Sequence, residues 1–242
     1  MESDHIVQSY DEELARLNNM IAEMGGLTEQ QLAGAIDTLM RRDKEQAEKI
    51  ISRDKKVDDY EAEIDAMTIR MLALRQPMAE DLRIVIATLK IASNLERVGD
   101  YAKNIAKRAQ TLSASPIIGD ATYSLARMGN IVQGMIKNVL DAYLQRDIHM
   151  AVDVRDRDED VDRLHTSLFR ELLTYMMEDP RNITPCTHLL FIAKNVERIG
   201  DHVTGIAEQI YFMVQGEMLD DERPKGDQTS FTVVEPGPAK ND

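Results

Sequence analysis

The heptapeptide Asn94-Leu95-Glu96-Arg97-Val98-Gly99-Asp100 returns as Asn195-Val196-Glu197-Arg198-Ile199-Gly200-Asp201. The longer stretches that hold the two copies, residues 91–107 and 192–208, agree at nine of 17 positions at an offset of 101. Upstream, Met24-Gly25-Gly26-Leu27 aligns with Met128-Gly129-Asn130-Ile131, and Arg42-Asp43 with Arg146-Asp147. Arg53-Asp54…Val57-Asp58 likewise aligns with Arg157-Asp158…Val161-Asp162, and all three pairs lie 104 residues apart. A three-residue deletion in the turn near Pro180 accounts for the change of offset. Matches that keep their order along the chain mark a duplicated unit.

Composition says what kind of unit is duplicated. Charged residues make up 30% of the 242, aromatics only 5%, and there are 14 Met and no Trp. That balance suits long amphipathic helices with Leu, Ile, Ala and Met in their seams, whereas sheets want more Val, Thr and aromatic residues. Seven prolines punctuate the periodic stretches, and a helix rarely runs through the residue before a proline. Six helices are therefore predicted, at about 5–41, 44–75, 78–112, 119–145, 148–178 and 185–216. Several exceed 30 residues, roughly 45 Å at 1.5 Å per residue. Long helices joined by short turns make antiparallel bundles. The expected architecture is all-α: a first three-helix repeat over 1–115, a second over 116–217, and a polar tail over 218–242 that reads as disordered.

The net charge of −14 argues against a nucleic-acid binder, which needs a basic footprint, and against direct attachment to anionic lipid. Cys186 is alone, so neither a disulfide framework nor a cysteine metal knuckle is expected. Neither a signal peptide nor an apolar run of membrane-spanning length is apparent. The expected location is the cytoplasm.

Acidic pairs spaced i, i+4 recur in each half: Asp54/Asp58 and Glu96/Asp100, then Asp158/Asp162 and Glu197/Asp201. The spacing puts both carboxylates on one helix face, about 6 Å apart at Cβ. Spacing alone is weak, because 43 acidic residues in 242 give about seven such pairs by chance. Facing says more. At 100° per residue, Glu96 lies in line with Leu82, Val85, Leu89 and Ala92, and Glu197 with Cys186, Leu190 and Ala193. The acidic pairs thus continue an apolar seam. Two unit charges 6 Å apart repel by roughly 2–3 kcal/mol at an effective dielectric of about 20. Protonation, Arg or Lys partners, or a hard cation such as Mg²⁺, Mn²⁺ or iron must offset that. A solvated acidic helix face is the competing structural reading. Asp162 and His165 form an Asp-x-x-His that makes His165 an optional nitrogen ligand; its first-half counterpart is Glu61.

These residues resemble the PhoU family, the phosphate-specific transport system accessory proteins. The resemblance rests on Met24-Gly-Gly-Leu, Leu74-Arg-Gln-Pro-Met-Ala-Glu-Asp-Leu-Arg, Ile91-Ala-Ser-Asn-Leu-Glu-Arg-Val-Gly-Asp and Ile192-Ala-Lys-Asn-Val-Glu-Arg-Ile-Gly-Asp-His, and it spans residues 5–215. It implies two pseudo-symmetric three-helix bundles. It also implies multinuclear metal clusters, iron in some members, on Asp54, Asp58, Glu96 and Asp100 and on Asp158, Asp162, Glu197 and Asp201. The implied role is that of a negative regulator of the phosphate-starvation response. Such a protein links the ATPase subunit of the phosphate ABC transporter to a sensor histidine kinase and meets the membrane only through those partners. Long helices with exposed seams also suit a homodimer. Tyr101 stands where the second copy has His202, so the two ligand shells differ. The alternatives are a carboxylate-bridged di-iron enzyme, which wants two Glu-x-x-His motifs that this chain lacks, and a purely structural bundle.

Overall fold

A computed structural model describes residues 2–219 and 226–233, with side chains from Tyr10 onward. Six α-helices carry the described residues: α1 (Glu2–Arg41), α2 (Lys44–Arg75), α3 (Glu80–Leu112), α4 (Ala121–Gln145), α5 (Ile148–Glu178) and α6 (Ile183–Gln215). No strand occurs among the described residues.

The repeated Arg-Asp dipeptide works as a stop and a start in two residues. Arg42 and Arg146 adopt left-handed backbone conformations, φ 60° and 54°, ending α1 and α4. The next N–H, on Asp43 or Asp147, reaches back to the carbonyl of Thr38 (3.3 Å) or Ala142 (3.0 Å), closing the helix end as a Schellman turn does. The same aspartates then cap the following helices. Asp43 accepts from the Gln46 N–H at 3.0 Å, and Asp147 from those of His149 and Met150 at 2.9 and 3.1 Å. Around Pro77, Gln76 and Ala79 also take positive φ, so α3 begins at Glu80 and not at 78. Pro185 falls in the first turn of α6, where a missing N–H removes no intrahelical bond.

Helix α2 packs on α1 and α3, and α5 on α4 and α6. The halves meet through α1 against α4 and α3 against α6, over one continuous apolar core. A pseudo-two-fold relates them, and close contacts obey it. A Cβ on Gly25 of α1 would meet the Leu140 side chain of α4 at 2.3 Å, and one on Gly129 of α4 would meet Ile36 of α1 at 2.7 Å. The duplication makes these two contacts equivalent, since Gly129 lies 104 after Gly25 and Leu140 lies 104 after Ile36. Pairs equivalent to themselves sit on the axis. The Gln133 amide donates to Glu29 at 3.2 Å, and the rings of Tyr101 and His202 stack at 5.6 Å.

Of the tail, residues 220–225 and 234–242 lie outside the described residues. Residues 226–233 are described: they run against α5 and include a 3₁₀ turn at Thr229–Phe231.

The two aspartate caps are separate sites, so their losses should add. Asp43→Ala and Asp147→Ala are each expected to cost about 1 kcal/mol, and the double variant about 2 kcal/mol, read from urea midpoints at constant slope. A slope change shared by all three variants would count against simple cap loss.

Candidate functional site

In the first repeat the acidic residues of α2 and α3 share one seam but do not share one point. Asp54 is buried; its Oδ1 accepts from the Gln31 amide at 3.5 Å, and its Oδ2 pairs with the Lys103 ammonium. Lys103 also donates to Asp100 Oδ1 at 2.6 Å, so one lysine bridges the two helices. Arg97 approaches Glu96 Oε2 at 3.5 Å and Asp100 Oδ2 at 3.8 Å from the solvent side. Asp58 is exposed at the rim.

Protonation behaviour follows from this packing. Burial, the Asp100 charge and a hydrogen bond between the two carboxyls push Glu96 up to about 7. Burial opposes ionisation of Asp100 as well, but hydrogen bonds from Lys103 and Glu96 hold it below the usual carboxylate range. The pair therefore ionises in order as pH rises, Asp100 first and Glu96 later. Asp58 is raised by burial and by the charges of Asp54 and Asp100. Burial opposes the charge of Lys103 too, yet its two carboxylate partners raise it.

The second repeat solves the same problem with different residues. Asp158 is fully buried, and a Cβ on Gly200 would lie 2.6 Å from its Oδ1. The equivalent Cβ on Gly99 would lie 3.4 Å from Asp54 Oδ1. Gly200 thus makes room for a carboxylate arriving from the neighbouring helix, whereas at Gly99 the nearest group is the Gln31 Oε1 of α1, 3.1 Å from such a Cβ. Lys103 has become Thr204, and the compensating cation is Lys194, one turn on the other side, 2.8 Å from Glu197 Oε2. Glu197 is buried and raised, first by desolvation and then by Asp201, against the pull of Lys194. Asp201 is half-buried one turn further along α6. Asp162 accepts the Gly226 N–H at 2.8 Å, and Asp227 lies 3.3 Å from Lys194 and 3.6 Å from His165. His165 is buried, and desolvation lowers it.

All eight predicted residues therefore lie on the α2–α3 and α5–α6 faces, four in each repeat. Their carboxylate chemistry suits a hard cation. Their placement does not assemble one ligand set: among the described residues no three His, Cys, Asp or Glu side chains converge on a point a metal would take. Ammonium groups hold the compensating positions. Sequence reasoning missed Lys103 and Lys194, although spacings of three from Asp100 and Glu197 were there to read. It also missed Asp227, for which the sequence carries no periodic signal.

The Glu96 shift has a pH consequence. A carboxyl raised on folding adds stability that is complete below its unfolded value and is lost as pH climbs through its folded value. Between about pH 4.5 and 7 the protein in chelator should lose roughly 1–2 kcal/mol that Glu96→Gln does not lose. Denaturant titrations of both across that range provide the check, and parallel curves would assign the proton elsewhere.

Comparison with known proteins agrees with the duplicated fold. The PhoU domain family model matches residues 21–109 and again 125–210. A phosphate-specific transport system accessory protein PhoU homolog of Caulobacter vibrioides is 51% identical over 228 residues, covering 94% of this chain and 99% of its own. The homolog of the same name in Rhizobium meliloti is 50% identical over 230 residues, covering 95% and 97%. Among solved structures, PhoU from Pseudomonas aeruginosa superposes with a TM-score of 0.84 at 36% identity, over 86% of this chain and all of that one. The phosphate transport system regulatory protein PhoU from Streptococcus pneumoniae gives 0.81 at 30% identity, over 87% and 99%. Two copies of one helical unit are what the fold and the two family matches describe together: the chain belongs to the PhoU family.

Proposed function

We propose that this protein is a regulatory accessory protein of phosphate transport, an adaptor that represses the phosphate-starvation response. The supporting observation is the near-full-length identity of about half to relatives named as accessory proteins of the phosphate-specific transport system. That name points to regulation and not to catalysis. Its partners in this reading are the ATPase subunit of the phosphate ABC transporter and a sensor histidine kinase, with a second copy of the chain as a further partner. Leu74, Met78 and Leu82 stand exposed around the α2–α3 turn, and an apolar patch of this kind supports a protein-binding role. No helix among the described residues is long and apolar enough to cross a membrane, so contact with the transporter is through its subunits. Deletion of the gene should raise phosphate-responsive transcription in phosphate-rich medium, and tagged protein should retain the transporter ATPase. Unaltered transcription in the deletion strain would end the adaptor reading.

The acidic seams carry a second part of the proposal. A hard divalent cation, or the iron cluster that the family resemblance implies, would compete with Lys103 for Asp54 and Asp100. Mn²⁺ uptake measured by calorimetry should then rise in Lys103→Met and fall when Glu96 and Asp100 are both replaced by Ala. Equal uptake by wild type and both variants would remove the first seam as a cation site.

A further inference from the structure

We propose that residues 226–231 form a latch that closes the acidic seam of the second repeat and leaves that of the first untouched. The duplication supplies the control. Asp162 is 3% exposed, whereas its counterpart Asp58 is exposed; Thr166 is 8% exposed, whereas its counterpart Ala62 is exposed. The segment that makes the difference enters at Gly226, whose N–H bonds Asp162 Oδ2 at 2.8 Å. The Gln228 N–H then bonds Thr166 Oγ1 at 3.2 Å, and between them Asp227 points at Lys194 and His165. Asp227 is itself set by the Thr229 N–H at 2.9 Å.

The receptor exists only in the second repeat. Where α5 and α6 present His165, Thr166 and Lys194, the matching positions of α2 and α3 hold Glu61, Ala62 and Ser93. An aspartate brought to Glu61 would meet a like charge, and Ala62 offers no acceptor for a backbone N–H. Glycine at 226 also eases the close approach, since a Cβ there would lie 3.1 Å from the Asp162 Cβ and 3.4 Å from the Glu159 carbonyl. These hydrogen bonds and charge contacts hold the segment, and Phe231 is 85% exposed, so its ring is not committed to the closure. A closure of this kind is reversible. It gives the second seam two states, covered and bare, while the rim of the first stays open at Asp58. The inference concerns access to the seam and stands apart from the identity of the transporter and kinase partners.

Carboxyl footprinting of the full chain, with a carbodiimide and glycine ethyl ester read by mass spectrometry, tests this. In the wild type Asp162 should label several-fold more slowly than Asp58. Asp227→Ala and Thr166→Val, made separately, should each raise labelling of Asp162 and Glu197 several-fold and leave Asp58 and Glu96 unchanged. Equal rates for Asp162 and Asp58 in the wild type, or no response in either variant, would overturn the latch. A rise spread equally over both seams would also overturn it, because the segment would then support the fold and not one site.

Discussion

Carboxylates withdrawn from water between neighbouring helices are the constraint on which this structure turns. An ion taken out of water costs several kcal/mol unless another charge or hydrogen bond meets it. Asp54 and Asp158 are both in that position. Asp158 needs space on the facing helix, which Gly200 provides, and Asp54 sits beside Gly99, whose nearest neighbour is the Gln31 amide. The acidic seams need nearby cations too, and Lys103 and Lys194 supply them. The motif that marks the duplication is in this sense a packing rule: its glycine admits a polar side chain of a neighbouring helix, Gln31 at Gly99 and Asp158 at Gly200, and its own acids make compensation necessary.

The two repeats keep the rule and change the means. In the first, one lysine one turn after Asp100 spans both helices, and Glu96 is raised beside an Asp100 that is held low. In the second, the lysine stands one turn before Glu197, a histidine replaces Glu61, and a residue far along the chain, Asp227, joins the cluster. Burial works against the charge of Asp227, yet the Thr229 hydrogen bonds and the neighbouring His165 and Lys194 hold it down at about 2. Equal folds thus carry unequal electrostatics, and exchanging one half for the other would not preserve the chemistry.

Much of the fold was legible because its signals are local. Prolines and the Arg-Asp junctions fix helix ends through backbone chemistry that neighbours in sequence supply, and the six helices fall within a few residues of the predicted bounds. The acidic residues were legible as members of a seam, but their depth was not. Facing analysis gives Asp54 and Asp58 nearly one direction, yet the first is buried and the second is at the rim, a difference of position along the crossing of two helices. The docked tail was illegible for a different reason. It is anchored by backbone N–H groups to side chains more than 60 residues away, and such bonds leave no pattern in the residues that donate them.

The pairs on the pseudo-two-fold axis show what a single chain gains from holding both halves. At a true two-fold between identical chains, a residue on the axis meets its own copy. A glutamate there would face a glutamate, with both charges opposed. Here Glu29 faces Gln133, and the amide donates to the carboxylate; Tyr101 faces His202, so two unlike rings stack where twins would otherwise meet. Joining the halves releases the axis from self-complementarity. The interface that most needs symmetry in an assembly of separate subunits is therefore the place where this chain is free to be asymmetric.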